Sequence, residues 1–323
     1  MASGIRETAH VPLWAALSGA GFIGVLTATQ ARINGQLGLR LGDGFVAALV
    51  SFGSGLALLI VLSAALPVGR RGARRLVEGV RGRAIPWWML AGGAAGALTV
   101  ATQGIVVGVI GVSLFTVGYV AGQTLCGLFL DRVGFGPAGV VAVTMPRVAG
   151  GALALAAVIL SFSGAGVGAV PFWMLVLPFL AGIGVAWQQA TNGRLRQRVG
   201  TPLTATFVNF LGGTTILAVA ALIHVGLVGA PDPFPTEPWL YFGGTLGVAY
   251  IFMAASLVAY TGVLLLALGT IVGQLFMSVV LDAVWPASAS PGLLQEVLVA
   301  TVAFSSVVVA TAPWRRRRKQ PGR

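Results

Sequence analysis

Charge is what this sequence has least of: Asp, Glu, Lys and Arg together make up 9% of its 323 residues, where an ordinary soluble domain carries roughly 25%. So small a supply excludes water as the main solvent of the folded chain. Cysteine is reduced to Cys126, inside an apolar stretch, which rules out a disulfide framework and a thiolate metal cluster. Histidine occurs only at His10 and His224, with no His-x-x-x-His pair and no paired acidic motif. The acid–base pairs, activated nucleophiles and metal centres of an enzyme are therefore missing, and no catalytic residue, metal or cofactor is expected. Lysine is confined to Lys319, and no phosphate-cradling loop precedes a helix with a lysine at hand. Nucleotide binding falls with it, and so does ATP-driven transport by this chain alone.

Long apolar runs are what the chain has instead. Hydrophobic residues reach 57% and the mean hydropathy is +0.92. Runs of about 18–25 residues are enough to cross roughly 30 Å of hydrocarbon at 1.5 Å per residue. They fall near 12–31, 44–67, 87–107, 111–130, 140–162, 172–190, 202–227, 239–259, 262–281 and 292–313. The fold class expected is an all-α integral membrane protein of ten transmembrane helices joined by short connectors, with the tightest joins at 108–111 and 260–262.

The net charge of +12 would suit nucleic acid, but its placement does not. With ten spans, 18 of the 20 Lys and Arg residues fall on one side of the membrane, leaving Arg32 and Arg40 on the other. This is the positive-inside pattern, so both termini are expected in the cytoplasm of a bacterial inner membrane. The acidic, proline-rich stretch Pro231 to Pro238 is expected outside. The basic tail Arg315 to Lys319 would anchor this topology and attract anionic headgroups.

The chain is also duplicated. Gly118-x-x-x-Gly122-Gln123 running to Leu130-Asp131 recurs 151 residues later as Gly269-x-x-x-Gly273-Gln274 running to Leu281-Asp282. At an offset of 158, Gln30, Asn34, Gly35, Phe52 and Gly55 recur as Gln188, Asn192, Gly193, Phe210 and Gly213. Trp88, Gly92 and Gly96 recur as Trp239, Gly243 and Gly247, and Gly111-Val112 as Gly262-Val263. The expected organisation is an N-terminus (1–11), a first five-helix repeat (12–165), a second (166–313) and a basic tail (314–323). Five spans per copy is an odd number, so the second copy would enter the bilayer upside down, the usual plan of alternating-access transporters.

Glycines at helical spacing, Gly92 with Gly96, Gly118 with Gly122, Gly243 with Gly247 and Gly269 with Gly273, are expected to let helix backbones approach closely in lipid. Polar side chains in the spans should face inward, since a partnerless polar group in hydrocarbon costs several kcal/mol. Gln123 and Gln274 are expected near mid-bilayer, either lining a central path or binding helices together. Gln103, Tyr119, Trp187, Asn209 and Tyr250 are the further mid-span candidates, and Gln30, Asn34, Gln188 and Asn192 are placed at the ends of the first and sixth spans. Asp131 and Asp282 end their helices, where a carboxylate opposes the macrodipole. They require a cation or donor, as gate or turn-fixing residues or through interfacial solvation. Arg132 and Arg147 are at hand for the first, whereas the second has no arginine in its own loop. Arg32 is expected to snorkel to the interface, and His224 has no carboxylate nearby in sequence.

The string Asn34-Gly35-x-Leu37 through Ala47-Ala48-Leu49-Val50-Ser51-Phe52 to Gly55, then Trp87-Trp88 with Gly92-Gly93 and Gly96, then Gly122-Gln123 through Leu130-Asp131 to Gly134 resembles the YdcZ type of inner-membrane exporter in the drug/metabolite transporter superfamily. Members are often single five-helix units that pair, so this chain resembles a fused pair. The resemblance implies two inverted five-helix halves around a central cavity, with the fifth and tenth helices peripheral. The second copy departs from the pattern where Trp285-Pro286 follows its aspartate. Small multidrug pumps, a related branch, use a glutamate in the first helix, and neither the first nor the sixth span here has an interior carboxylate. A secondary-active exporter of a small neutral, zwitterionic or amphipathic metabolite or drug is the expected function. A lipid-acting enzyme and a non-transporting scaffold or channel are the rival classes. The expected partners are a small-molecule substrate, the lipid bilayer and, as a candidate, a second copy in a homodimer; nucleic acid is not one.

Overall fold

Glycine corners and polar caps divide the apolar runs into helices. The computed structural model describes residues 12–161, 171–285 and 293–312, and among them all extended regular structure is helical. α1 (Leu13–Leu41) stops at Gly42, whose left-handed φ of 61° returns its N–H to Leu39 O. Asp43 then caps α2 (Gly44–Ala65) by accepting from the Phe45 and Val46 N–H groups. The same device recurs 158 residues later, where α7 (Trp173–Val199) stops at Gly200 with φ 77° and Thr201 caps α8 (Pro202–Val228). Glycine takes the left-handed corner without a Cβ penalty, and an N-cap of this kind contributes about 1 kcal/mol.

α1 and α7 continue well past the apolar runs that end at residues 31 and 190. Gln30, Asn34, Gln188 and Asn192 are therefore not at helix ends; they lie inside helices and are buried. Hydropathy falls there, but buried polar partners take the place of hydrocarbon, so the helices do not stop.

The basic stretch after α2 is more than a connector, because it folds as α3 (Pro67–Arg81). Proline at the first helical position is pre-set for the turn, and the helix closes with Gly72 against Thr201 and Thr204 and with Arg75 beside Gly200. α3 thus sits on the α7–α8 corner.

A single turn at Trp87–Leu90 leads into α4 (Gly92–Thr102), and a π turn over Gln103–Val107 joins it to α5 (Gly108–Val133). α9 (Gly243–Val284) follows its own leading turn at Pro238–Tyr241. Inside these runs Gly111 (φ 82°, ψ 167°) and Gly262 (φ 73°, ψ 175°) break the helix at equivalent points, 151 residues apart. The chain doubles back at each break. Along α1, Gly19, Gln30 and Asn34 meet Leu257, Gly247 and Gly243, so the first limb of α9 runs antiparallel to α1. Gly21 and Arg32 meet Gly273 and Asp282, so the second limb runs parallel to it. α7 is flanked in the same way by α4, through Gln188 with Gly96 and Asn192 with Gly92, and by α5, through Gly182 with Tyr119 and through Arg194 with Phe135 just past the α5 C-cap.

By length and composition, five helical stretches among the described residues can cross a bilayer: Leu13–Leu41, Gly44–Ala65, Trp87–Ser113, Pro202–Val228 and Pro238–Val284. α6 (Met145–Ser161) and α10 (Leu293–Thr311) pack on each other and against α5 and α9. Phe52 and Phe210, equivalent by the 158-residue offset, stack with ring centroids 4.6 Å apart in the central apolar cluster.

Charge is sorted between the two ends of the bundle. At one end His224 Nδ1 lies 2.9 Å from Asp43 Oδ2, Arg40 pairs with Glu237 at 3.0 Å, and the Asp232 N–H reaches Leu41 O at 2.9 Å. At the other, α3 sits on the α7–α8 corner, Arg194 Nη2 donates to Gly134 O at 2.7 Å and Gln197 Nε2 to Pro137 O at 3.0 Å. The expected termini, 1–11 and 314–323, lie outside the described residues.

Candidate functional site

Two clusters of buried amides occupy equivalent places. In the first, Gln30 Nε2 donates to Gly243 O at 2.7 Å and Asn34 Nδ2 to Gln103 Oε1 at 2.8 Å, with Ser51 beside them at Gly243. In the second, Gln188 Nε2 and Asn192 Nδ2 both donate to Asn209 Oδ1, at 2.9 and 3.0 Å. Each cluster has capacity left over: Gln30 Oε1, Asn34 Oδ1, Ser51 Oγ, Gln103 Nε2 and Asn209 Nδ2 have no hydrogen-bond partner. Such groups are rare in folded proteins, because each one left unpaired costs about 1–3 kcal/mol.

The glycines Gly92, Gly96, Gly243 and Gly247 make the floor on which these amides lie. A Cβ at Gly92 would come 2.5 Å from Asn192 Oδ1, and one at Gly247 2.5 Å from Gln30 Nε2. A Cβ at Gly96 would sit 2.6 Å from Gln188 Nε2, and one at Gly243 would strike Asn34 Oδ1. Side chains, not a neighbouring helix backbone, fill the space these four glycines leave. Backbone approach is made one residue further on, where Gly93 meets Asn209 O and Gly244 meets Ser51 O. Gly122 and Gly273 do lie against backbone, at Phe179 O and Gly21 O, and Gly269 faces the Ala20 methyl. Gly118 is buried in α5.

Gln123 and Gln274 are fully buried in α5 and the second limb of α9. Neither polar atom of Gln123 and not the Gln274 Oε1 has a partner. Tyr119, stacked on Phe115 with centroids 5.5 Å apart, is buried one turn before Gln123 in α5, and Tyr250, whose hydroxyl is also unpaired, is buried in the first limb of α9. Trp187, half-buried, packs against the central apolar cluster. None of these side chains carries charge.

The two aspartates have partners that no local reading could supply. Asp131 accepts from the N–H groups of Val263 and Leu264, at 2.8 and 3.1 Å. Asp282 accepts from the Ser113 N–H at 3.3 Å and from the Ser113 hydroxyl. The donors are the first amides after the Gly262 and Gly111 breaks, so each carboxylate caps a helix of the other half of the chain. A carboxylate at a helix C-terminus is unfavourable locally, and placing it on a second helix's N-terminus reverses the sign. Arg147 Nη1 adds a contact to Asp131 at 3.3 Å, while Asp282 receives Arg32, Nη1 to Oδ1 3.8 Å, in place of the arginine its loop lacks.

Arg32 does not snorkel. It is 3% exposed, donates to Trp285 O and lies over the Trp285 ring, 5.9 Å from its centroid. Asp282, the Trp285 carbonyl and the indole face give the guanidinium its partners inside the bundle. His224, with no carboxylate nearby in sequence, finds Asp43 across 181 positions. Sequence reading missed Asp43, Ser51 and Ser113. Ser51 is the repeat equivalent of Asn209, and Ser113 follows the repeated Gly111-Val112 pair, so the duplication carried a signal for both.

The chain matches the family model described as "Putative inner membrane exporter, YdcZ" over residues 13–160 and 173–309. No curated protein matches it. With nearly its whole length covered, the chain belongs to the YdcZ family, and this makes it a membrane transporter of the inner membrane.

Proposed function

We propose, on the premise of that membership, a secondary-active exporter that moves a small neutral, zwitterionic or amphipathic molecule by alternating access. The observation that carries this reading is the set of buried, partnerless amides at equivalent places in the two halves. Uncharged donors and acceptors without partners match a substrate that is polar but carries no net charge, because its own groups would satisfy them. Cations and anions would find no compensating charge among these amides. A cavity of about 180 Å³ at the basic end is lined by Met89 and Arg194, close in sequence to Gly92 and Asn192 of the second cluster.

Ten spans in two inverted halves fit the geometry. Each limb flanking Gly111 or Gly262 has about 20 residues, roughly 30 Å of helix, and the chain reverses between them. The loop after α2 is basic and packs at one end of the bundle, whereas its counterpart after α8 is acidic and lies at the other. With the basic end in the cytoplasm, single cysteines placed at positions 75 and 234 are expected to react with an impermeant thiol reagent from opposite faces of sealed vesicles. Reaction from the same face would end the inverted arrangement.

Function is tested by thermal shift of purified protein against a metabolite, amino-acid and drug library, followed by counterflow of the hits in liposomes. Saturable counterflow is expected; flux that neither saturates nor exchanges would point to a channel or scaffold. Gln123→Ala and Gln274→Ala should each lower that counterflow about five- to tenfold, the effect of one lost hydrogen bond to substrate, at unchanged membrane abundance. Unaltered flux in both would return these glutamines to a purely structural role.

A further inference from the structure

We propose that Asp131 and Asp282 are the two latches of the transport cycle, each closing one end of the path by holding the broken helix of the opposite half, and that the cycle releases them in turn. The proposal rests on the alternating-access reading and adds the parts that move.

A left-handed corner inside a helix leaves the next amide N–H groups without intrahelical acceptors. In a bilayer such donors need a partner in the protein or water brought in from one face. At the Gly262 corner Asp131 takes both exposed donors, Val263 and Leu264 N–H. At the Gly111 corner Asp282 takes the Ser113 N–H and its hydroxyl. Val263 and Leu264 are the repeat equivalents of Val112 and Ser113, as Asp282 is of Asp131. One reciprocal contact therefore occurs twice, related by the duplication.

The two contacts lie far apart. Ser113 and Asp131 sit at opposite ends of the same limb of α5, separated by roughly 27 Å at 1.5 Å per residue. One latch is at the basic end, beside Arg147, and the other is backed by Arg32 of α1. Both are made in this structure, and the amides between them are sealed from solvent. Charge-assisted bonds of this kind are strong while water is excluded, but water entering at one end satisfies the same carboxylate and the same N–H groups. Opening one end is thus compensated by the face it opens to. Opening both would leave neither contact between the halves, so the device favours a single open end and opposes leak.

The experiment uses full-length protein with Cys126→Ser and a single reporter, either V112C or V263C. Both side chains are buried, and cysteine keeps the backbone N–H that each corner presents. An impermeant maleimide is applied from either face of reconstituted vesicles. Asp282→Asn is expected to raise labelling of position 112 about tenfold from the acidic-loop face and to leave position 263 unchanged. Asp131→Asn should do the reverse from the basic face. Should either variant fail to reach the membrane, Ser113→Ala and Arg147→Gln weaken the same two contacts by one bond each and should give the same pattern with smaller rises. Equal rises at both reporters, or no rise at either in protein of normal abundance, overturn the latches. Labelling needs no substrate, so the outcomes separate: switched labelling without counterflow removes the carrier reading, and saturable counterflow with flat labelling removes the latches.

Discussion

Gly273→Ala and Gly182→Ala are expected to cut the folded, monodisperse yield at least about tenfold, the equilibrium effect of losing about 1.4 kcal/mol, within the usual cost of overpacking. A Cβ at Gly273 would overlap the Gly21 carbonyl, and one at Gly182 the Tyr119 carbonyl. Backbone oxygens cannot rotate away as a side-chain tip can, so the helices must separate. In lipid that separation forfeits close packing, with no hydrophobic force to draw the helices together again. The losses fall on two of the contacts that bind the halves, α1 on the second limb of α9 and α7 on α5. Gly53→Ala and Gly226→Ala are the matched comparison, since nothing lies within 4 Å of either Cβ position and alanine favours the helix by about 0.5–1 kcal/mol. Fluorescence-detected size exclusion of the four variants in mild detergent reads the result. Four equal profiles would show that these close approaches do not hold the bundle.

Membrane placement was legible because hydropathy depends on composition over about 20 residues, and the duplication because Gly, Gln and Asp stand out against an apolar background. The corners at 111 and 262 could be placed as tight joins since each copy carries Gly-Val there. Extent was harder to read. α1 passes through Arg32 and Asn34 to Leu41, and a hydropathy window ends where such residues begin, although here they are buried and partnered. Partners across the repeat were not readable at all. The acceptor need of Asp131 is met by backbone amides 132 and 133 residues away, and a backbone amide has no sequence identity to recognise. Asp43 with His224 and Arg32 with Asp282 depend in the same way on how α8 and α9 return to the first helices. The GxxxG spacing also hides a choice. It shows that a helix face is bare without saying whether backbone or side chain will cover it, and the chain uses both.

That choice yields the second large effect, in which neighbouring glycines part company. Gly92→Ala and Gly243→Ala are expected to leave abundance within about twofold and to lower counterflow by at least about tenfold. Their new methyls meet only side-chain ends, Asn192 and Asn209 at Gly92 and Asn34 and Ser51 at Gly243, groups that can move aside without parting any helices. Moving aside breaks what those amides do: Asn192 loses Asn209 and Asn34 loses Gln103, so the donors and acceptors offered to substrate change direction. At the next residue, Gly93→Ala and Gly244→Ala drive a methyl into the Asn209 and Ser51 carbonyls and should fail as Gly273→Ala does, in yield before function. Register therefore sorts the four variants into two pairs one helical position apart, one pair silent in the fold and costly in flux, the other costly in the fold. Counterflow and yield measured on the same membranes decide it. If Gly92→Ala and Gly243→Ala transport at the normal rate, the amides are packing, the substrate lies elsewhere, and Gln123 and Gln274 are the next residues to test for contact with it.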